Sequence, residues 1–136
     1  MIIDTMVMAY ALLGVPSFGS ESMNALRKAD DLVAPASVEG ELLNVAWQWG
    51  RSRVRPEIAK AVFENASGLW TELIPVRPLW SLALDLAFTA SHSPYDTLFV
   101  AAARHRRSKI LTYDEKLLTL FPEDTIRVAD FLDSKI

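Results

Sequence analysis

From Ser93 to Leu117 the chain reads Ser-Pro-Tyr-Asp-Thr-Leu-Phe-Val-Ala-Ala-Ala-Arg-His-Arg-Arg-Ser-Lys-Ile-Leu-Thr-Tyr-Asp-Glu-Lys-Leu, and no other stretch limits its fold more. Ser93 suits a helix cap, and Pro94 suits the first helical position, where no backbone donor is needed. An apolar helix follows, then a three-residue strand, Ile110-Leu111-Thr112, then a turn into another helix. Such a short apolar strand between helices points to a parallel sheet covered on both faces. Asp96 falls in the first turn of the leading helix, and Asp114 lies just beyond the strand. Ligands of such sheets bind in the crevice at the carboxyl ends of the strands, so both carboxylates can face one crevice.

The rest of the chain repeats the alternation. Ile2-Ile3 reads as a very short buried strand ending at Asp4, and Met6 to Leu13 begins a helix broken by Gly14, Pro16 and Gly19. Ser20 to Ala29 has helical spacing, and Leu32-Val33-Ala34 is a second strand closed by Pro35. A helix from Ser37 is expected to break at Gly50, and Pro56 starts the next, amphipathic one. Leu73 to Val76 is a third strand, whose Pro75 predicts an edge position. Leu82 to Ala90 is helical, and Thr125 to Val128 is the last strand. The expectation is a three-layer α/β/α fold with a mostly parallel, short-stranded sheet, formed as a single domain over residues 1–136.

Charge and composition narrow the function. With a net charge of −3 and a pI near 5.3, overall electrostatics do not attract nucleic acid, so an anionic substrate needs a local patch or bound cations. The absence of cysteine excludes disulfides, thiolate metal sites and cysteine nucleophiles, and fits a reducing cytoplasm. The N-terminus has no basic start and meets Asp4 at once, unlike a secretory signal. The most apolar stretch, Met6 to Val15, is too short to span a bilayer. A cytoplasmic protein without a membrane segment is expected.

Four of the 17 acidic residues follow a strand or open the helix after one: Asp4, Glu41, Asp96 and Asp114. Right-handed winding lets all four converge at one end of the sheet. Two carboxylates about 4 Å apart repel by roughly 4 kcal/mol at an effective dielectric of 20, so such a cluster needs a proton or a cation. Oxygen donors alone favour a hard divalent ion, Mg²⁺ or Mn²⁺. Such an ion suits phosphodiester hydrolysis.

Asp4-Thr5, Pro35 with Glu41-Leu42-Leu43-Asn44, Tyr95-Asp96-Thr97-Leu98 and Leu111-Thr112-Tyr113-Asp114 resemble, in order, the motifs of the PIN-domain family. More narrowly, they resemble the VapC-like toxin ribonucleases of toxin–antitoxin pairs. The resemblance implies a Mg²⁺- or Mn²⁺-dependent endoribonuclease cutting single-stranded or loop RNA. It implies Asp4, Glu41, Asp96 and Asp114 as metal-binding and catalytic acids, with Thr112 as a supporting hydroxyl. It also implies an antitoxin partner and a homodimer joined through helices. One departure is Met6, where the family often carries Asn or Ser.

Other readings compete with these. Asp96 and Asp114 are also ordinary helix-start acids, and Glu39 competes with Glu41. His92 and His105 read as surface residues, and Trp47, Trp49, Trp70 and Trp80 as core or dimer surface. Arg51, Arg53, Arg55 and the cluster Arg104, Arg106, Arg107 and Lys109 read equally as helix-end charge or as an RNA rim. A non-catalytic PIN-like RNA- or protein-binding domain is the alternative. A phosphoaspartate enzyme is the third, but Met6 stands where its second acid is needed.

Overall fold

The five expected strands all form, each two or three residues long, and all lie in one sheet. In this computed structural model, residues 1–135 are described, and Ile136, the last residue of the expected domain, lies outside them. Strands β1 (Ile2–Ile3), β2 (Val33–Pro35), β3 (Glu72–Ile74), β4 (Ile110–Thr112) and β5 (Thr125–Arg127) pair in parallel, in the order β3-β2-β1-β4-β5. β3 is therefore an edge, as Pro75 predicted, and Pro75 itself falls just past the strand, where no ladder donor is lost. Ile2, Ile3, Ile110 and Leu111 are fully buried at the centre.

Helices cover the sheet on both faces. α1 (Thr5–Leu13) packs against α2 (Gly19–Lys28), α3 (Val38–Ser52) and α4 (Pro56–Leu69). α6 (Pro94–His105) lies across β1, β2 and β4, with α5 (Trp80–Ala90) packed against it. Seven consecutive residues of α6, Thr97 to Ala103, are buried, so this helix is apolar nearly all round because it is covered nearly all round. The short α7 (Glu115–Leu120) and α8 (Val128–Asp133) close the chain.

Several expected bounds shift: β2 runs Val33–Pro35 rather than from Leu32, and β3 runs Glu72–Ile74 rather than Leu73 to Val76. Gly50 does not end α3, which continues to Ser52. A Cβ at Gly50 would stand 3.1 Å from the Ala59 Cβ, so glycine is there to let α3 and α4 approach closely. The last strand stops at Arg127 rather than Val128, and Val128 opens α8, which at six residues is too short for its periodicity to show. Gly14 does end α1, with a left-handed φ of 62° and its N–H donated to the Tyr10 carbonyl.

The strand order explains where a site can form. The chain builds β1, β2 and β3 in one direction, then returns to the other side of β1 for β4 and β5. The order reverses between β1 and β4, and the crevice of an open parallel sheet lies outside the carboxyl ends of the strands at that reversal.

Candidate active site

Asp4 follows β1 and Asp114 follows β4, one on each side of the reversal. Register brings them together: Ile3 pairs with Leu111, and the Asp4 N–H donates to the Leu111 carbonyl at 3.1 Å, which continues the ladder by one step. Asp4 then stands beside Thr112. The Thr112 hydroxyl donates to Asp4 Oδ2 at 2.6 Å and accepts from the Asp114 N–H at 2.9 Å. One fully buried threonine thus fixes both acids.

Each acid also has a local role. Asp4 Oδ1 accepts from the Thr5 N–H at 2.8 Å and caps α1. Asp114 Oδ1 accepts from the Lys116 and Leu117 N–H groups at 2.9 and 3.1 Å and caps α7. Glu41 lies in the first turn of α3, and its buried Oε2 has no hydrogen-bond partner among the described residues. Asp96 lies in the first turn of α6, and its Oδ2 is 2.7 Å from His92 Nε2. His92, expected at the surface, has a side chain only 8% exposed and is paired to a candidate acid.

All four acids line one cleft of about 420 Å³, together with Thr5, Met6, Tyr10, Asn44, Val45 and Tyr113. Glu39, the competitor of Glu41, does not line it. Burial pushes the Asp4 carboxyl up to about 6; the Thr112 and Thr5 hydrogen bonds oppose the rise, and the charges of Asp96 and Asp114 add to it. Burial pushes Glu41 up to about 7, helped by the charges of Asp4 and Asp96. The Thr5 hydroxyl opposes that rise from nearby, but neither Thr5 Oγ1 nor Glu41 Oε2 completes a hydrogen bond.

A cation fits this donor set by its chemistry. The cleft offers carboxylate oxygens, a buried acceptor with no donor, and two acids whose ionisation is opposed by burial and by their neighbours. Among the described residues no three acids or histidines are gathered into a finished cage. Mg²⁺ keeps several waters and takes only one or two carboxylates directly, so it does not require such a cage.

The cleft is flanked by an aromatic wall that no pattern in the sequence announces. Tyr10 stacks on Phe18 at 5.2 Å, and Tyr113 meets the two rings at 5.6 and 5.1 Å. Tyr113 Oη lies 2.7 Å from Ser22 Oγ, which ties the wall to α2. These rings come from three separate segments, so no local spacing marks them.

The family model for the PIN domain matches residues 1–120. The chain belongs to the PIN domain family. The match runs from β1 through α7 and stops before β5 and α8. No curated protein matches the chain. PIN domains are generally nucleases, and PIN nucleases typically use divalent metals. In this PIN domain, the four acids that carried the motif resemblance are the four that line the cleft.

Proposed function

We propose that this PIN domain, acting as a single domain, is a Mg²⁺- or Mn²⁺-dependent endoribonuclease, the toxin of a toxin–antitoxin pair working in the cytoplasm. The observation that carries the reading is the approach of four carboxylates, borne by four separate segments, to one cleft at the sheet reversal. No helix among the described residues is long and apolar enough to cross a membrane.

Asp4 and Asp96 would hold the ion directly and Asp114 directly or through a water; both Asp4 oxygens are steadied by hydrogen bonds within the protein, and Asp96 and Asp114 each have one oxygen so held. A bound divalent ion supplies positive charge against the phosphate and the leaving oxygen, and makes water more acidic. Glu41, also able to bind the ion, lines the cleft and has a buried oxygen without a partner, so once the cation keeps it ionised it can take a proton from the attacking water. The water oxygen joins phosphorus as the bond to O3′ breaks, leaving a 5′-phosphate and a 3′-hydroxyl. Thr112 keeps Asp4 and Asp114 in register throughout.

Purified protein is expected to cut RNA with Mg²⁺ or Mn²⁺ and to stop with EDTA. Asp4→Asn and Asp96→Asn are each expected to lose at least 100-fold in rate. Full cleavage by both variants would sink the reading. Met6 at the cleft wall keeps the non-catalytic alternative in play; metal-indifferent RNA binding with no cleavage of varied substrates selects it.

Partners belong to the same proposal. Trp80, Leu84 and Phe88 recur every four residues along α5 and are all exposed, Phe88 by 77%. Such a stripe suits a homodimer joined through helices. The cognate antitoxin would cover the acidic cleft.

A further inference from the structure

We propose that His92 is a positioning residue for the cleft: its ring fixes the Asp96 carboxylate, and through it the affinity for the divalent ion. This rests on the metal-dependent reading above. His92 does not itself line the cleft and acts only through Asp96.

The turn between α5 and α6 is built to place this ring. Ser91 ends α5 in the left-handed region, with a φ of 51°, and the His92 N–H donates to the Ala87 carbonyl at 3.1 Å. Ser93 caps α6 by accepting from the Tyr95 N–H at 3.2 Å, so the backbone on either side of His92 is held. The ring is buried while Asp96 is half-buried, and Nε2 meets Asp96 Oδ2 at 2.7 Å. That is a charge-assisted distance.

Of the four acids, Asp96 is the one oriented by a side chain on the neighbouring turn. Asp4 is held by Thr112 and Thr5, Asp114 by its own helix, and Glu41 Oε2 by nothing. Asp96 makes no other side-chain hydrogen bond among the described residues. With Oδ2 engaged, Oδ1 is the oxygen left for a cation. A carboxylate with a fixed partner presents that oxygen without losing rotamer freedom on binding, and outer partners of this kind are typically worth 10- to 100-fold in metal affinity or activity.

A merely structural role, tying α5 to α6, predicts a different pattern. The test is calorimetric titration of Mn²⁺ into metal-free protein for wild type, His92→Ala, His92→Gln and Asp96→Asn, and for His92→Ala combined with Asp96→Asn. Thermal unfolding in EDTA is measured alongside. His92→Ala is expected to bind Mn²⁺ 10- to 100-fold more weakly, and His92→Gln, which keeps an N–H donor, to recover to within about threefold of wild type. In the Asp96→Asn background, His92→Ala should cost nothing further, because the partner is gone. Wild-type affinity in His92→Ala overturns the proposal, as does a His92→Gln as weak as His92→Ala, or a full additional loss in the double variant. If His92→Ala does not fold, His92→Gln and the Asn background decide by the same criteria. Mn²⁺ binding with this pattern but no RNA cleavage supports His92 while removing the nuclease reading; cleavage with Mn²⁺ affinity indifferent to His92 does the reverse. No Mn²⁺ binding by wild type overturns both.

Discussion

Asp4 is the residue on which the cleft's electrostatics turn. Its folded carboxyl holds its proton to about 6, whereas an unfolded aspartate releases it near 3.8. The folded state therefore binds more protons in this range, and stability falls as pH rises from about 4 to 6, by on the order of 3 kcal/mol from this one group. Glu41 extends the decline towards 7. Metal-free protein should thus unfold at a lower temperature at pH 7.5 than at pH 4.5, other groups aside, and Mn²⁺ should raise that temperature more at pH 7.5, where the ligands are ionised. Differential scanning calorimetry in EDTA and in Mn²⁺ reads both. Thr112→Val removes a buried donor and a buried acceptor without changing shape, so a loss of about 1–3 kcal/mol is expected in urea titrations, with the Asp4 carboxyl rising further. The four acids were legible in the sequence because each follows a strand or opens a helix. His92 was not, although it is four residues before Asp96. It sits in the turn, with Ser91 left-handed on one side and the cap Ser93 on the other, so helical spacing rules do not govern it.

The elements were easier to find than their ends. Alternating apolar strands and helices fixed the layers, because a sheet covered on both faces tolerates no polar alternation. What the pattern could not give was register, which depends on Leu111 accepting from Asp4, or a glycine's reason for being inside a helix, as at Gly50. Two other glycines separate backbone conformation from space. Gly14 is left-handed with nothing within 4 Å of an added Cβ, so Gly14→Ala should cost about 1–2 kcal/mol from conformation alone. Gly19 has its would-be Cβ 2.9 Å from the Gly14 carbonyl carbon, which is backbone and cannot step aside. Gly19→Ala must push α2 off α1, at a cost of about 1–3 kcal/mol. Because α2 holds Tyr113 through Ser22, it should also disturb the aromatic wall, read as a change in near-ultraviolet circular dichroism; Gly14→Ala should leave that signal less changed.

At the scale of the molecule, none of the exposed α5 residues Trp80, Leu84 and Phe88 lines the acidic cleft, so the stripe and the cleft can be separated by mutation. Phe88→Glu is expected to give a monomer in light scattering while each subunit keeps its fold and Mn²⁺ binding. A dimer unaffected by that change would move the interface elsewhere. The net charge of −3 is no obstacle to an RNA substrate if cations fill the cleft, and part of the basic surface is already committed: Arg104 pairs with Asp124, Arg106 with Glu72 and Arg127 with Glu115.

The reversal of strand order has a consequence for how such a protein is made. Asp4 and Glu41 belong to the portion that forms β1 to β3, whereas Asp96 and Asp114 arrive with α6 and the far side of the sheet. A polypeptide still emerging from the ribosome carries half of the charged cleft with nothing opposite it. Until β4 slides in beside β1, the four acids cannot share a cleft, and on the ribonuclease reading proposed above the growing chain has no complete site with which to cut RNA.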